Sequence, residues 1–250
     1  MNVFSYLLEV REKKGAGFLV LIDPDKFNRE KIDDFLAACG NGKVDAFLVG
    51  GSLLGDDYIS EMISEIKERT DIPVILFPGG TNQVTRNADA ILYLSLISGR
   101  NPDYLIGKHV ISAPIIKRYG LETISTGYML VESGKTTTAE YMSNTKPLPF
   151  RKYDIAVATA LAGEYLGMKM LYLEAGSGAE YPIPAEMVQA VAENVSVPII
   201  VGGGLRLPKS ARNRVEAGAS FIVVGNHFEN PATWDEIRDF ARAIHYKQKR

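Results

Sequence analysis

Three short segments carry residues whose types and spacing can do chemistry. Tyr172-Leu-Glu-Ala-Gly-Ser-Gly178 ends an apolar run with a carboxylate and a glycine-serine turn, and Val201-Gly-Gly-Gly204 and Val224-Gly-Asn226 end two more. Glycine lets a backbone N–H approach an anion that a side chain would obstruct. Gly176, Ser177 and Gly178, then Gly202, Gly203 and Gly204, then Gly225 with Asn226, therefore point to a phosphate held at three consecutive strand ends. Glu174 sits within an apolar stretch, where a carboxylate is costly unless it pairs or works. It is the leading candidate for a general base, with a structural salt bridge as the other reading. Tyr172 and Tyr128 can each direct a phenol toward the same place or pack in the core. Arg206 either adds charge to the pocket or is a solvated loop residue.

A second constellation is rich in oxygen. Leu21-Ile-Asp-Pro-Asp-Lys26 puts Asp23 at a strand end stopped by proline, and Val49-Gly-Gly-Ser52 puts a hydroxyl at the end of the next strand. Alone, each reads as a turn or helix-capping residue. Together at one rim, Asp23 and Ser52 form a magnesium-type site completed by water and a diphosphate. His109, His227 and His245 lack ligand spacing, which argues against zinc. The chain has no dinucleotide glycine fingerprint after its first strand and no nucleophile elbow, and Gly134-Lys-Thr136 lacks the upstream glycine of a P-loop.

Positioning these groups takes a repeated βα framework. Short apolar, β-branched runs alternate with amphipathic stretches throughout. They predict strands at 18–23, 46–51, 73–77, 90–96, 123–131, 170–175, 198–203 and 221–225. Helices are predicted at 29–39, 57–69, 104–119, 153–166, 185–194, 209–217 and 234–246. Eight strands and a length of 250 residues fit one (β/α)8 barrel, a single domain over 1–250. The polar segment after the third strand, PGGTNQVTRNAD, is too short for a crossover helix with its loops. The helix there is expected to be missing or replaced by an extended or single-turn segment, uncovering barrel wall for an apolar groove or an oligomer contact, with room near Gly79, Gly80 and Gly99. Residues 133–151 read as a long irregular loop, of the kind that forms lids or subunit contacts.

With 28 basic and 30 acidic residues, a net charge of −2 favours neither nucleic acid nor an acidic membrane. The N-terminus is too charged for a secretory signal, no apolar run reaches membrane-spanning length, and the single Cys39 cannot form an internal disulfide. A cytoplasmic protein is expected.

In order, LIDPDK, VGGS, YLEAGSG, VGGG and VGN resemble the motif series of the geranylgeranylglyceryl phosphate synthase family, prenyltransferases on a modified TIM barrel. The LIDP and VGGS forms are similar to its group II branch. The resemblance implies transfer of the prenyl group of geranylgeranyl diphosphate to the C3 hydroxyl of sn-glycerol 1-phosphate. It implies Mg2+ at Asp23 and Ser52, with glycerol phosphate against Tyr172, Leu173, Glu174, Ala175, Gly176, Ser177 and Gly178, then Gly203, Gly204, Gly225 and Asn226. Glu174, with Tyr172 beside it, would be catalytic, and the protein a homo-oligomer, dimer or hexamer. One departure stands out: other members carry a lysine just before the first aspartate, where this chain has Leu21 and Ile22. The competing readings are a sugar-phosphate isomerase or lyase on the same barrel, and a phosphate sensor without catalysis.

Overall fold

A computed structural model describes residues 2–51 and 58–246. Eight parallel strands close into a barrel in sequence order: β1 (Gly17–Ile22), β2 (Ala46–Val49), β3 (Val74–Leu76), β4 (Ala90–Leu96), β5 (Glu122–Leu130), β6 (Met170–Glu174), β7 (Ile199–Gly202) and β8 (Phe221–Val224). β8 pairs with β1, Phe18 opposite Ile222, so no edge strand remains. Alternation along each strand divides the apolar residues into two layers. Leu19, Leu48, Ile75, Leu92, Ile124, Tyr172, Ile200 and Phe221 fill the interior. Val20, Phe47, Leu76, Leu173, Val201 and Ile222 face the helices. Burial on both faces is why the strands read as continuous rather than alternating apolar runs.

Outside lie α2 (Ile32–Asn41), α3 (Ile59–Arg69), α4 (Lys108–Tyr119), α6 (Tyr153–Tyr165), α7 (Ala185–Ala192), α8 (Pro208–Glu216) and α9 (Ile237–Ile244). Between β3 and β4 stands only a 3-10 turn, Thr81–Gln83. A π-helical turn, Asp103–Gly107, leads into α4.

Two helices depart from the sequence reading. Residues 133–151 contain α5 (Thr138–Ser143), capped by the Thr137 hydroxyl, and Val131 pairs with Leu148 across the loop, so the stretch is folded rather than irregular. α1 (Val3–Lys14) closes the bottom of the barrel. Its Val3 and Leu7 join the interior cluster, and the amides of Val3 and Phe4 donate to the Glu122 carboxylate at 2.6 and 3.0 Å. An acid at the positive end of a helix is favourable. The bottom also holds a buried charge: Asp45 accepts from the Phe18 amide at 2.8 Å and contacts Lys14 and His245, tying both ends of the chain to β1 and β2.

Candidate active site

All the groups singled out on β6, β7 and β8 come together at the C-terminal mouth. Glu174 is the last residue of β6 and, at 5% exposure, is nearly enclosed. Its Oε1 accepts the Gly176 amide at 2.7 Å. Burial pushes its pKa up to about 7, against the opposing pull of the Gly176 amide, the Tyr172 hydroxyl and the Ala175 amide. Among the described residues no ion pair neutralises it. A carboxylate that half-titrates near neutrality is suited to proton transfer.

Glycine is required around it for space. A Cβ on Gly203 would lie 2.3 Å from Glu174 Oε1, and one on Gly202 2.5 Å from the Tyr172 hydroxyl. Gly203 and Gly176 also have φ of +83° and +93°, where other residues are strained. The Gly176–Gly178 turn is tied to β8, because Asn226 Oδ1 accepts from the Ser177 hydroxyl at 3.0 Å and the Gly178 amide at 3.2 Å. With Leu21, Gly204, Gly225 and Asn230 these residues line a polar cup whose open volume is about 1160 Å³.

The two tyrosines point inward. Tyr172 stacks on Phe77 with ring centres 5.4 Å apart, and Tyr128 meets Tyr172 edge-on at 5.4 Å. The Tyr172 hydroxyl is buried without hydrogen-bond geometry to any described group, although it lies near enough to Glu174 to lower that carboxyl's pKa. Both phenols are held above their usual pKa by burial, then by the Glu174 charge. They remain protonated donors. Leu173 and Ala175, expected among the ligand contacts, turn their side chains into the helix layer, because neighbours on a strand face opposite ways. Their backbone is engaged as well, Leu173 within the ladder between β5 and β7 and the Ala175 amide on the Gly202 carbonyl at 3.1 Å.

Phe77 and Tyr128 also form one wall of a second concavity, an apolar trough enclosing about 880 Å³ and lined by Pro78, Val84, Leu92, Leu94, Tyr104 and Met142 among others. It follows the gap beside the Thr81–Gln83 turn, and it takes in Ile91 and Tyr93 from the outer face of β4. Gly79 and Gly80 line it as expected; Gly99 does not, being packed against Thr145 in a separate surface depression. α4 and α5, which position Tyr104 and Met142, complete the trough. Its lining was missed in the sequence because it is assembled from two distant helices.

Asp23 sits just past β1, its Oδ2 2.9 Å from Lys26 Nζ, which also lies 3.6 Å from Glu229. Ser52 lies outside the described residues. Asp23 and Glu229 both line the cup with the Lys26 ammonium between them, the Glu229 pKa being raised by burial and by the Asp23 charge despite Lys26, and among the described residues no three His, Cys, Asp or Glu side chains cluster as a metal site. Arg206 lines the cup, but its guanidinium donates to the Ala179 carbonyl at 2.8 Å.

Fold and site together define a (β/α)8-barrel protein with an enclosed carboxylate in a polar cup at the C-terminal mouth and an apolar trough that shares Phe77 and Tyr128 with that cup. The chain belongs to the PcrB family, whose model matches residues 8–244. Similar proteins include the geranylgeranylglyceryl phosphate synthase of Chitinophaga pinensis, 50% identical over 98% of this chain and 96% of the relative. That of Spirosoma linguale is 49% identical over 94% and 98%. The fold superposes with a TM-score of 0.91 and 30% identity on (S)-3-O-geranylgeranylglyceryl phosphate synthase from Thermoplasma acidophilum in complex with its substrate sn-glycerol-1-phosphate, covering 98% of this chain and 99% of that one.

Proposed function

We propose that this chain is a prenyltransferase that joins the C3 hydroxyl of sn-glycerol 1-phosphate to C1 of geranylgeranyl diphosphate, forming an ether bond and releasing diphosphate. The observation that carries the reading is Glu174, an enclosed carboxylate with a pKa of about 7 in the cup, close to the Phe77 and Tyr128 wall that the cup shares with the trough. A small phosphorylated alcohol fits the cup and a long apolar chain fits the trough, so their reactive ends meet beside one base.

The glycine turns hold the phosphate through backbone N–H groups, with the Ser177 hydroxyl beside them, and fix the direction of the glycerol. Glu174 accepts the C3 hydroxyl proton as the new C–O bond forms, and its ionised form stabilises positive charge on the allylic carbon. Phe77, Tyr128 and Tyr172 exclude water from that carbon, and the aromatic faces favour a cation. The bond from C1 to the diphosphate oxygen breaks, and its electrons leave with the diphosphate. Mg2+, held by Asp23 with Ser52 and with Glu229 at hand, would neutralise the leaving group's charge. Cation binding requires Lys26 to give up Asp23.

The same reading makes the protein a magnesium-dependent cytoplasmic enzyme of membrane ether-lipid synthesis, working as a homo-oligomer, dimer or hexamer. No described helix is long and apolar enough to cross a membrane. Exposed Ile106, Val110 and Ile111 on one side, and Tyr165 and Leu166 on another, offer apolar surface for subunit contact.

The test is incubation of purified protein with magnesium, geranylgeranyl diphosphate and radiolabelled glycerol 1-phosphate, comparing the sn-1 and sn-3 isomers. Organic-soluble label from sn-1 alone supports the reading. No extractable label with this or with shorter and longer prenyl donors would overturn it in favour of sugar-phosphate chemistry on the same cup.

A further inference from the structure

Part of the cup's neutral donor set is already engaged, the Gly176 amide by Glu174 and the Ser177 hydroxyl and Gly178 amide by Asn226, and little positive charge faces it. Lys26 is paired with Asp23 and Glu229, His227 contacts Glu236 at 2.9 Å, and Arg206 donates to the neutral Ala179 carbonyl, which leaves its charge unpaired among the described residues. β1 supplies an apolar residue there, Leu21, which packs toward Gly225. A phosphate dianion carries more charge than the single unpaired Arg206 guanidinium offsets.

A further cation stands nearby. The Nζ of Lys135 lies 3.5 Å from the point a Cβ on Gly178 would occupy, over the outer side of the glycine-serine turn. Among the described residues it enters no ion pair or hydrogen bond. Its side chain is exposed, yet its backbone is anchored on both sides. The Ser133 carbonyl accepts the Glu180 and Tyr181 amides at 3.0 and 3.3 Å, and the Thr137 side chain packs against Gly176. Gly134, with φ of +93°, runs so close to Glu180 and Tyr181 that a Cβ would clash. The loop after β5 is thus fastened to the loop after β6, and the exposed lysine between these anchors lies beside the glycine-serine turn.

We propose that Lys135 closes over the glycine-serine turn as a counter-cation of the bound phosphate group, making it a substrate-binding residue for the phosphorylated alcohol and not for the prenyl donor. The inference rests on the reading of the cup as a phosphate site. A charge-assisted hydrogen bond of this kind corresponds to about tenfold in affinity.

The experiment measures inorganic phosphate binding to the full-length protein by calorimetry at low salt, followed by steady-state kinetics, for wild type, Lys135→Gln, Lys135→Arg and, as a charge-loss control, Lys152→Gln. Expected for Lys135→Gln is about tenfold weaker phosphate binding and a similar rise in KM for glycerol phosphate, with KM for the allylic diphosphate unchanged. Arginine should restore most of the loss, and Lys152→Gln should bind like wild type. Equal phosphate affinity in wild type and Lys135→Gln, an equal loss in Lys152→Gln, or no phosphate binding by wild type would each overturn the assignment. Calorimetry needs no prenyl donor, so Lys135-dependent phosphate binding without prenyl transfer would sink the proposed reaction and leave the lysine in place.

Discussion

The two halves of the barrel mouth are built by opposite means. On the β6–β8 side, side chains are removed from short turns so that backbone groups line a polar cup, and the Cβ positions of Gly202 and Gly203 are taken up by Tyr172 and Glu174. On the β3–β4 side a whole helix gives way to a 3-10 turn, and the space is lined by side chains from α4, α5 and both faces of β4. Recognition through backbone demands particular residues at particular positions. Recognition through an apolar lining demands only shape, and tolerates exchange among hydrophobic residues. Substitutions on the two sides should therefore differ in severity and in which substrate they affect.

The hardest break is at the enclosed carboxylate. Glu174→Gln is expected to lower kcat by about 10²–10⁴-fold while glycerol phosphate binding, followed by calorimetry, changes little. Turnover near the wild-type rate would remove Glu174 as the base. Next comes the cup: Gly203→Ala forces a methyl group against Glu174 Oε1 at a φ of +83°, and should cost on the order of 2–3 kcal/mol in stability with activity falling alongside, read by urea denaturation. Asp23→Asn should shift the magnesium titration of activity to about tenfold higher concentration; an unshifted titration would count against the metal assignment. On the trough side, Ser112 lines the wall from α4, and Ser112→Phe should raise KM for a C20 donor several-fold and leave KM for glycerol phosphate unaltered. An equal rise for both would mean that trough and cup are not separate subsites.

The pH dependence sharpens the same contrast. kcat should rise with pH through about 7 as Glu174 ionises, given its pKa of about 7. Stability runs the other way. The folded-state pKa lies above the unfolded value, so between about 4.5 and 7 the native state holds a proton that the unfolded chain has lost, and stability falls as pH rises across that window. Glu174→Gln should accordingly raise the melting temperature at pH 8, by an amount corresponding to at most about 3 kcal/mol, and do little at pH 4.5. An unchanged melting temperature at both pH values would show that the buried carboxylate carries no such cost.

What was legible in the sequence follows the same division. Strands buried on both faces announce themselves as apolar runs, and all eight fell within a residue or two of their observed bounds. Glycines tied to strand ends are local signals, so Glu174 and the three turns could be found without a structure. The trough could not be outlined, because Tyr104, Met142 and Val84 converge from segments far apart in the chain. α1 was passed over because its charges drew attention, although Val3, Leu7 and Val10 recur at helical spacing. Side-chain direction was also underused: counting by twos from Glu174 assigns Tyr172 to the interior and Leu173 to the helix layer. Asp45, buried at the opposite end of the barrel, left no local signal, since its partners Lys14 and His245 stand at the two ends of the chain.

The opening beside the Thr81–Gln83 turn has a kinetic meaning. The trough reaches the outer face of β4 through Ile91 and Tyr93, whereas the cup opens along the barrel axis, so two ligands arriving by these routes need not queue at one doorway. Under the proposed reaction, either substrate can bind first. Initial-rate plots should then intersect, with diphosphate competitive against the prenyl donor and the ether product, which spans cup and trough, competitive against both substrates.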